Sequence, residues 1–325
     1  MKKDIAVVGC GYWGKNLVRN YFELGVLASI CDPNYSIAST FANKYNIKSC
    51  SFAQILDDTD IKGVVLAVPA ELHASMAVDA MNKGKHVFVE KPLAMNEAEA
   101  EAMITTAKKN KVQLMVGHLL QYHPIFKTIR EYVEEGKIGE INYIYSNRLS
   151  FGKVRTEEDV IWSFAPHDIS MILSLTGQEP EYVSTNAISI LQKNIADTAT
   201  IHLQFKSGLK SHISVSWLHP YKEHKLVIVG QSSMLVFDDT KPWHEKLALY
   251  PYEVMSSKNL VNLQNSNLQY IKVLEEEPLK KECQHFLDVV EKDTRPLTDG
   301  SEGLRVLKVL SAASRSQIKN ERVKL

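Results

Sequence analysis

Gly9-Cys-Gly11-Tyr-Trp-Gly14 matches G-x-G-x-x-G, the spacing that wraps backbone around a pyrophosphate. It follows the apolar run Asp4–Val8 and opens a helical pattern from Asn16, which is the context this chemistry requires. Gly9 permits the tight turn, Gly11 lets backbone approach the phosphates, and Gly14 lets the helix pack close to the sheet. The helix N-terminus adds free N–H groups and the positive end of its dipole. Tyr12 and Trp13 lie within the loop and join it as candidate cofactor contacts. Asp32 ends the next strand, 18 residues beyond Gly14. A carboxylate there accepts hydrogen bonds from ribose hydroxyls and repels a 2′-phosphate, so NAD is expected rather than NADP. The alternative is a glycine-rich turn beside an unrelated surface aspartate. With strand, loop, helix and acid all in register, that alternative is the weaker.

Two further strand ends carry suggestive residues, and ligands of open α/β sheets bind beyond the carboxyl ends of the strands. Val68-Pro69-Ala-Glu-Leu-His73 follows one strand; cofactor contact by Val68, Pro69 and His73 and an ordinary strand-to-helix turn are equally good readings. Glu90-Lys91-Pro92 follows another, where a lysine faces the ligand crevice; a solvated loop lysine is the plainer fate. Trp162-Ser-Phe-Ala-Pro-His167-Asp168 is a third constellation. Pro166 fits a first helical position, which places His167 in the first turn. The helix dipole there disfavours an added proton and leaves a neutral imidazole usable as a base. A single histidine is otherwise most often packed or at the surface. Metal binding is not expected: His118 and His123, and His219 and His224, stand five apart, outside the H-E-x-x-H spacing. No G-x-S-x-G element is present, which disfavours an α/β-hydrolase.

The elements that position these residues divide the chain in two. Up to residue 119, short apolar strands (within 4–8, 26–31, 63–68, 86–89 and 112–116) alternate with helical patterns. Continuous apolar strands are buried on both faces, and their alternation with helices implies crossovers, hence a doubly wound parallel sheet. From residue 120 to 325 the period changes. After a helix at about 124–135, strands are expected at 141–149, 182–191, 198–205, 210–217, 225–229 and 233–237. They form an open, mostly antiparallel sheet interrupted by helices at about 166–176 and 282–291, with a terminal helix at about 301–317. Ile213, Val215 and Trp217 share one strand face. One sheet face covers helices, and the other is available to a partner subunit, so a homo-oligomer is expected.

Composition narrows the function classes. The chain has 325 residues, with 38 Lys+Arg cancelling 38 Asp+Glu, a balance unlike that of a nucleic-acid binder. No apolar run approaches a membrane span, and the run after Lys3 is too short for a signal peptide. Cys10, Cys31, Cys50 and Cys283 show no C-x-x-C spacing and suit a reduced cytoplasmic protein.

These motifs resemble the glucose–fructose oxidoreductase and inositol dehydrogenase (Gfo/Idh/MocA) family over essentially the whole chain. The resemblance implies a Rossmann domain, a second domain on an open sheet, and NAD(P)-dependent hydride transfer at a sugar or cyclitol carbon. It implies that Lys91 and His167 flank the reacting carbon, that Lys91-Pro92 is cis, and that the assembly is a dimer or tetramer. Many members carry aspartate four residues before the histidine; here Ser163 stands there, which points to a subgroup. Gly117-His-Leu-Leu-Gln-Tyr-His-Pro124, Tyr145-Ser-Asn-Arg148, Trp162-Ser-Phe-Ala-Pro-His-Asp168, Ser216-Trp-Leu-His-Pro220 and Thr298-Asp-Gly-Ser-Glu-Gly303 resemble bacterial UDP-N-acetylglucosaminuronate 3-dehydrogenases. These serve the biosynthesis of surface-polysaccharide diacetamido-uronic acids. Arg148 and Arg155 are candidates for a uronate carboxylate. Gln121, Tyr122, Asn147 and Trp162 are candidates to line the pocket, Trp162 on the cofactor side. Each of these has a plain packing or salt-bridging alternative. The rival functions are a ketosugar reductase, which would use the same residues, and a dinucleotide-binding regulator, disfavoured by the presence of both Lys91 and His167.

Overall fold

The computed structural model describes residues 2–152, 154–257, 260–265 and 267–325. The chain opens with β1 (Ile5–Val8), α1 (Gly14–Glu23), β2 (Leu27–Cys31), α2 (Tyr35–Tyr45), β3 (Lys48–Ser49), α3 (Phe52–Asp57), β4 (Gly63–Leu66), α4 (His73–Asn82), β5 (His86–Glu90), α5 (Glu97–Asn110) and β6 (Leu114–Gly117). The six strands pair in parallel in the order β3-β2-β1-β4-β5-β6. Every residue of β1, β4 and β6 is buried, the two-sided burial that their unbroken apolar sequences require. The order reverses between β2 and β4, on either side of β1, so the end of β1 is the topological switch point.

A second group follows: α6 (Pro124–Glu134), β7 (Ile141–Phe151), α7 (Val160–Thr176), β8 (Tyr182–Ile188), β9 (Thr198–Gln204), β10 (Lys210–Ser216), β11 (Leu218–Gly230), β12 (Ser233–Asp238), β13 (Leu247–Ser257), β14 (Leu260–Asn265) and β15 (Gln269–Tyr270). Then come α8 (Pro278–Lys292), α9 (Gly300–Lys319) and β16 (Val323–Lys324). The second sheet runs β14-β13-β12-β11-β7-β10-β9-β8-β16, with β15 paired to β13. Its pairs are antiparallel except β7 with β10. Ala199, Ile201 and Leu203 of β9 and Ser211, Ile213 and Val215 of β10 turn to the buried face, under α7. The opposite face carries half-exposed Tyr143 and Tyr145 in ring contact with His212. Strands β13 and β14 were not foreseen: a proline at 251 falls within the first, and the second spans only Leu260–Asn265.

The division of the chain differs from the expected break after residue 119. One compact unit comprises Met1–Tyr122 and Glu277–Leu307, the other His123–Glu276 and Lys308–Leu325. The helix expected at 282–291 within the second sheet is α8, and it belongs to the first unit. Its Leu279, Cys283, Phe286 and Leu287 complete one core with Ile5, Leu17, Tyr21, Phe88 and Met115. Periodicity shows that a helix is amphipathic, but not which apolar surface covers its face. No described helix is long and apolar enough to cross a membrane.

Candidate active site

The first unit gathers its site residues at the carboxyl ends of β1, β2, β4 and β5. Gly9 has φ of +93°, and a Cβ there would lie 2.3 Å from the Ala67 carbonyl oxygen. A Cβ on Gly14 would lie 2.0 Å from the Gly9 oxygen, so the turn and the helix entry both require glycine. Gly11 faces open space, with nothing within 4 Å of its would-be Cβ. That combination, two packed glycines and one open one, fits a loop that receives a dinucleotide phosphate on its outer side. The Asp32 carboxylate accepts from the backbone N–H of Cys10 at 2.8 Å and of Asn34 at 2.9 Å. These bonds fix an acid at the end of β2 against the loop, where a ribose diol would meet it. Burial pushes the Cys10 thiol up to about 12, which leaves it an inert packing group.

Trp13 caps the start of α1, and its indole N–H donates to Glu90 Oε1 at 2.5 Å. Glu90 is the last residue of β5 and precedes Lys91, whose bond to Pro92 is cis. Tyr12 is exposed, with the Lys15 ammonium over its ring. His73 is buried; Nδ1 lies 2.7 Å from the Pro92 oxygen and Nε2 3.0 Å from the Val68 oxygen. Both ring nitrogens therefore face backbone carbonyls, and the histidine braces the loops after β4 and β5, including Pro69, rather than presenting a nitrogen to a ligand. Gln121 is buried, and the Tyr122 hydroxyl pairs with Thr298 Oγ1 at 2.9 Å. These two sit in the packing of the first unit.

The second unit carries the other candidates. Helix α7 begins at Val160, capped by the Asp159 carboxylate, which accepts from the N–H of Ile161 and Trp162 at 3.0 and 3.1 Å. Pro166 is thus inside the helix, and His167 lies beyond its second turn, half-buried. The expected first-turn position, and the dipole argument built on it, do not hold, because the dipole acts within the terminal turn. An interior proline costs a helix about 3 kcal/mol. Burial of Ile161, Ala165, Ile169, Ile172 and Leu173 along α7 offsets it. The Trp162 indole N–H is used on Ser314 Oγ at 2.9 Å.

Arg148 of β7 donates from Nε to Asp168 Oδ2 at 2.6 Å and from Nη2 to Oδ1 at 3.2 Å, clamping β7 to α7 beside His167. Asp168 is 1 % exposed. The guanidinium fork expected to hold a carboxylate does hold one, but it belongs to the chain. Asn147 donates to Glu223 Oε1 at 2.7 Å, and exposed Arg155 pairs with Glu158 at 3.1 Å. Burial, then the Arg148 charge, lower His224 to about 4. Sequence reasoning missed Asp168 as the partner of Arg148, and it missed Glu282, a fully buried carboxyl on α8. Neither carries a local motif, since each acquires its meaning from a residue distant in sequence.

A glycine loop at the switch point of a parallel sheet, with an acid at the end of the second strand, is the arrangement of a dinucleotide-binding domain of the Rossmann type, and a lysine follows the fifth strand. Residues 3–118 match the oxidoreductase family with an NAD-binding Rossmann fold, and residues 126–236 match the GFO/IDH/MocA C-terminal domain. The chain belongs to the Gfo/Idh/MocA family and is an NAD-dependent oxidoreductase. The UDP-N-acetylglucosamine 3-dehydrogenase of Acidithiobacillus ferrooxidans is 24% identical over 302 residues, covering 93% of each chain. Its solved structure superposes with a TM-score of 0.86 over 98% of both chains. The inositol 2-dehydrogenase of Rhizobium meliloti is 22% identical, covering 92% of this chain and 91% of that one. An aldose-aldose oxidoreductase from Caulobacter crescentus gives a TM-score of 0.87 at 20% identity over all of both chains. At these identities the structural likeness establishes the fold.

Proposed function

We propose that this protein oxidises C3 of a UDP-linked N-acetylglucosaminuronate to the 3-keto sugar, with NAD as oxidant, in the biosynthesis of diacetamido-uronic acids for surface polysaccharide. The observation that carries the reading is Lys91, held at the end of β5 directly after the carboxyl bonded to the dinucleotide loop. The subgroup strings and the 3-dehydrogenase activity of the Acidithiobacillus relative on UDP-N-acetylglucosamine support a nucleotide sugar and position C3.

The bound nicotinamide supplies the hydride acceptor. The chain supplies the rest. N–H groups of the 9–14 loop hold the diphosphate, and Asp32 holds the ribose. His167 accepts the C3 hydroxyl proton, while Lys91 donates a hydrogen bond to the same oxygen, orienting the sugar and easing proton loss. The hydroxyl loses one proton to the imidazole and its carbon loses one hydride, leaving a ketone. The same groups serve the reverse reduction.

A second substrate, UDP-N-acetylglucosamine, whose sugar carries no carboxylate, is favoured by one observation: Arg148 and Arg155 are already paired with Asp168 and Glu158. The deciding experiment incubates the purified protein with either sugar and NAD⁺, with and without 2-oxoglutarate, and follows the mass of the nucleotide sugar. Loss of two hydrogens from the uronate alone supports the proposal, and loss from UDP-N-acetylglucosamine alone replaces it with the second reading. Both sugars unchanged sinks the sugar assignment. A cytoplasmic homo-oligomer belongs to the same reading, paired through the half-exposed Tyr143–Tyr145–His212 face. Light scattering that returns a monomer refutes that part.

A further inference from the structure

Glu90 is a costly way to satisfy one indole N–H. The residue is only 9 % exposed, although a neutral acceptor would serve the same bond. Space is reserved for it, because a Cβ on Gly117 would lie 3.0 Å from Glu90 Oε2. One oxygen takes the Trp13 N–H at 2.5 Å, and the other faces the Lys91 backbone N–H at 3.3 Å. The carboxyl therefore joins two segments 77 residues apart in sequence, the glycine loop and the strand end that carries Lys91. We propose that Glu90 is a positioning residue, a latch that ties the dinucleotide loop through Trp13 to the Lys91 strand end, and that its ionisation sets the strength of the latch. The proposal rests on reading residues 9–14 as the dinucleotide loop.

The ionisable groups around the latch come from several elements. Lys91 follows on its own strand, and His118 lies just past β6, bonded to Glu302 of α9. Tyr21 faces it from α1, and Glu282 and Cys283 from α8. Burial raises Glu90 to about 7, against the opposing pull of Trp13, Lys91 and His118. Burial also pushes Glu282, Tyr21 and Cys283 upward, which favours the neutral forms of these neighbours. Ionised, it accepts a charge-assisted bond from Trp13; protonated, it accepts only a neutral one of roughly half the strength.

The test is NADH binding, read by nicotinamide fluorescence from pH 5.5 to 8.5, in wild type, Trp13→Phe and Glu90→Gln. No sugar is needed, so the result is separate from the substrate assignment. Wild-type affinity should rise roughly three- to tenfold as pH climbs through about 7. In both variants the pH response should flatten. Without NADH, the tryptophan emission of wild type should titrate at the same midpoint, and Trp13→Phe should abolish that titration; this readout stands if a variant binds too weakly to measure. A Glu90→Gln protein that keeps the wild-type pH response overturns the proposal. So does a Trp13→Phe protein with wild-type affinity throughout. Absence of NADH binding in wild type at every pH overturns the latch and the loop reading together.

Discussion

Replacing Glu282 by glutamine should change how stability responds to pH. The Glu282 side chain is 0 % exposed, and neither carboxyl oxygen has a hydrogen-bond partner among the described residues. Burial first, and the Glu90 charge second, push its carboxyl well above the usual range. The folded protein therefore keeps this proton at pH values where the unfolded chain has released it. The stabilisation is complete below the ordinary glutamate value and is lost as pH rises towards the folded value, at about 1.4 kcal/mol per pH unit. Glutamine has nearly the same shape and no such proton. Relative to wild type, Glu282→Gln should thus gain about 1.4 kcal/mol between pH 5.5 and 6.5. Urea unfolding followed by circular dichroism at both pH values measures the difference. A difference that stays constant would mean that Glu282 does not take up a proton on folding. A wild type that gains on the variant would mean a charged, paired carboxylate, and either result refutes the reasoning. Glu90 provides the internal comparison: moved from 4.5 to about 7, it should cost roughly 3 kcal/mol at pH 7 and above, so the gain of Glu90→Gln over wild type should level off there.

Three other outcomes are expected. Lys91→Ala and His167→Ala should each lower kcat by roughly 10²- to 10⁴-fold while leaving NADH binding measurable, checked by steady-state rates and fluorescence titration on the same preparations. Gly14→Ala brings a methyl 2.0 Å from the Gly9 oxygen and should destabilise the protein by about 1–3 kcal/mol with loss of NADH binding, seen in paired denaturation and binding curves. Arg148→Met leaves the Asp168 carboxylate buried without its cation and should cost about 3–5 kcal/mol, whereas the double variant Arg148→Met/Asp168→Leu should recover much of that, a contrast that a double-mutant cycle measures.

Much of the fold was legible because its signals are local. The all-buried strands β1 and β4, the glycine loop and Asp32 lie within short windows, and periodicity and turn chemistry read windows of that size. The start of α7 was misread for the same reason. Pro166 is a local signal for a helix start, but the cap at Asp159 and burial along the helix outweigh it. The strands of the second sheet were recognised where they alternate over seven residues, as in β9 and β10, and β13 was missed where Pro251 falls within it.

By itself the sequence determined the glycine loop, the acid after the second strand, the Lys91 and His167 candidates and the two-part plan, since each rests on residue types at short fixed spacings. Only the tertiary structure decided what those side chains are free to do. It returned α8 to the first unit, spent Arg148 on Asp168, turned His73 onto two backbone carbonyls and joined Trp13 to Glu90. Such pairings depend on which surfaces meet when the core closes. A carboxylate buried beside a guanidinium or an indole has a different charge state and a different role from the same residue in water, and no window of sequence contains both partners.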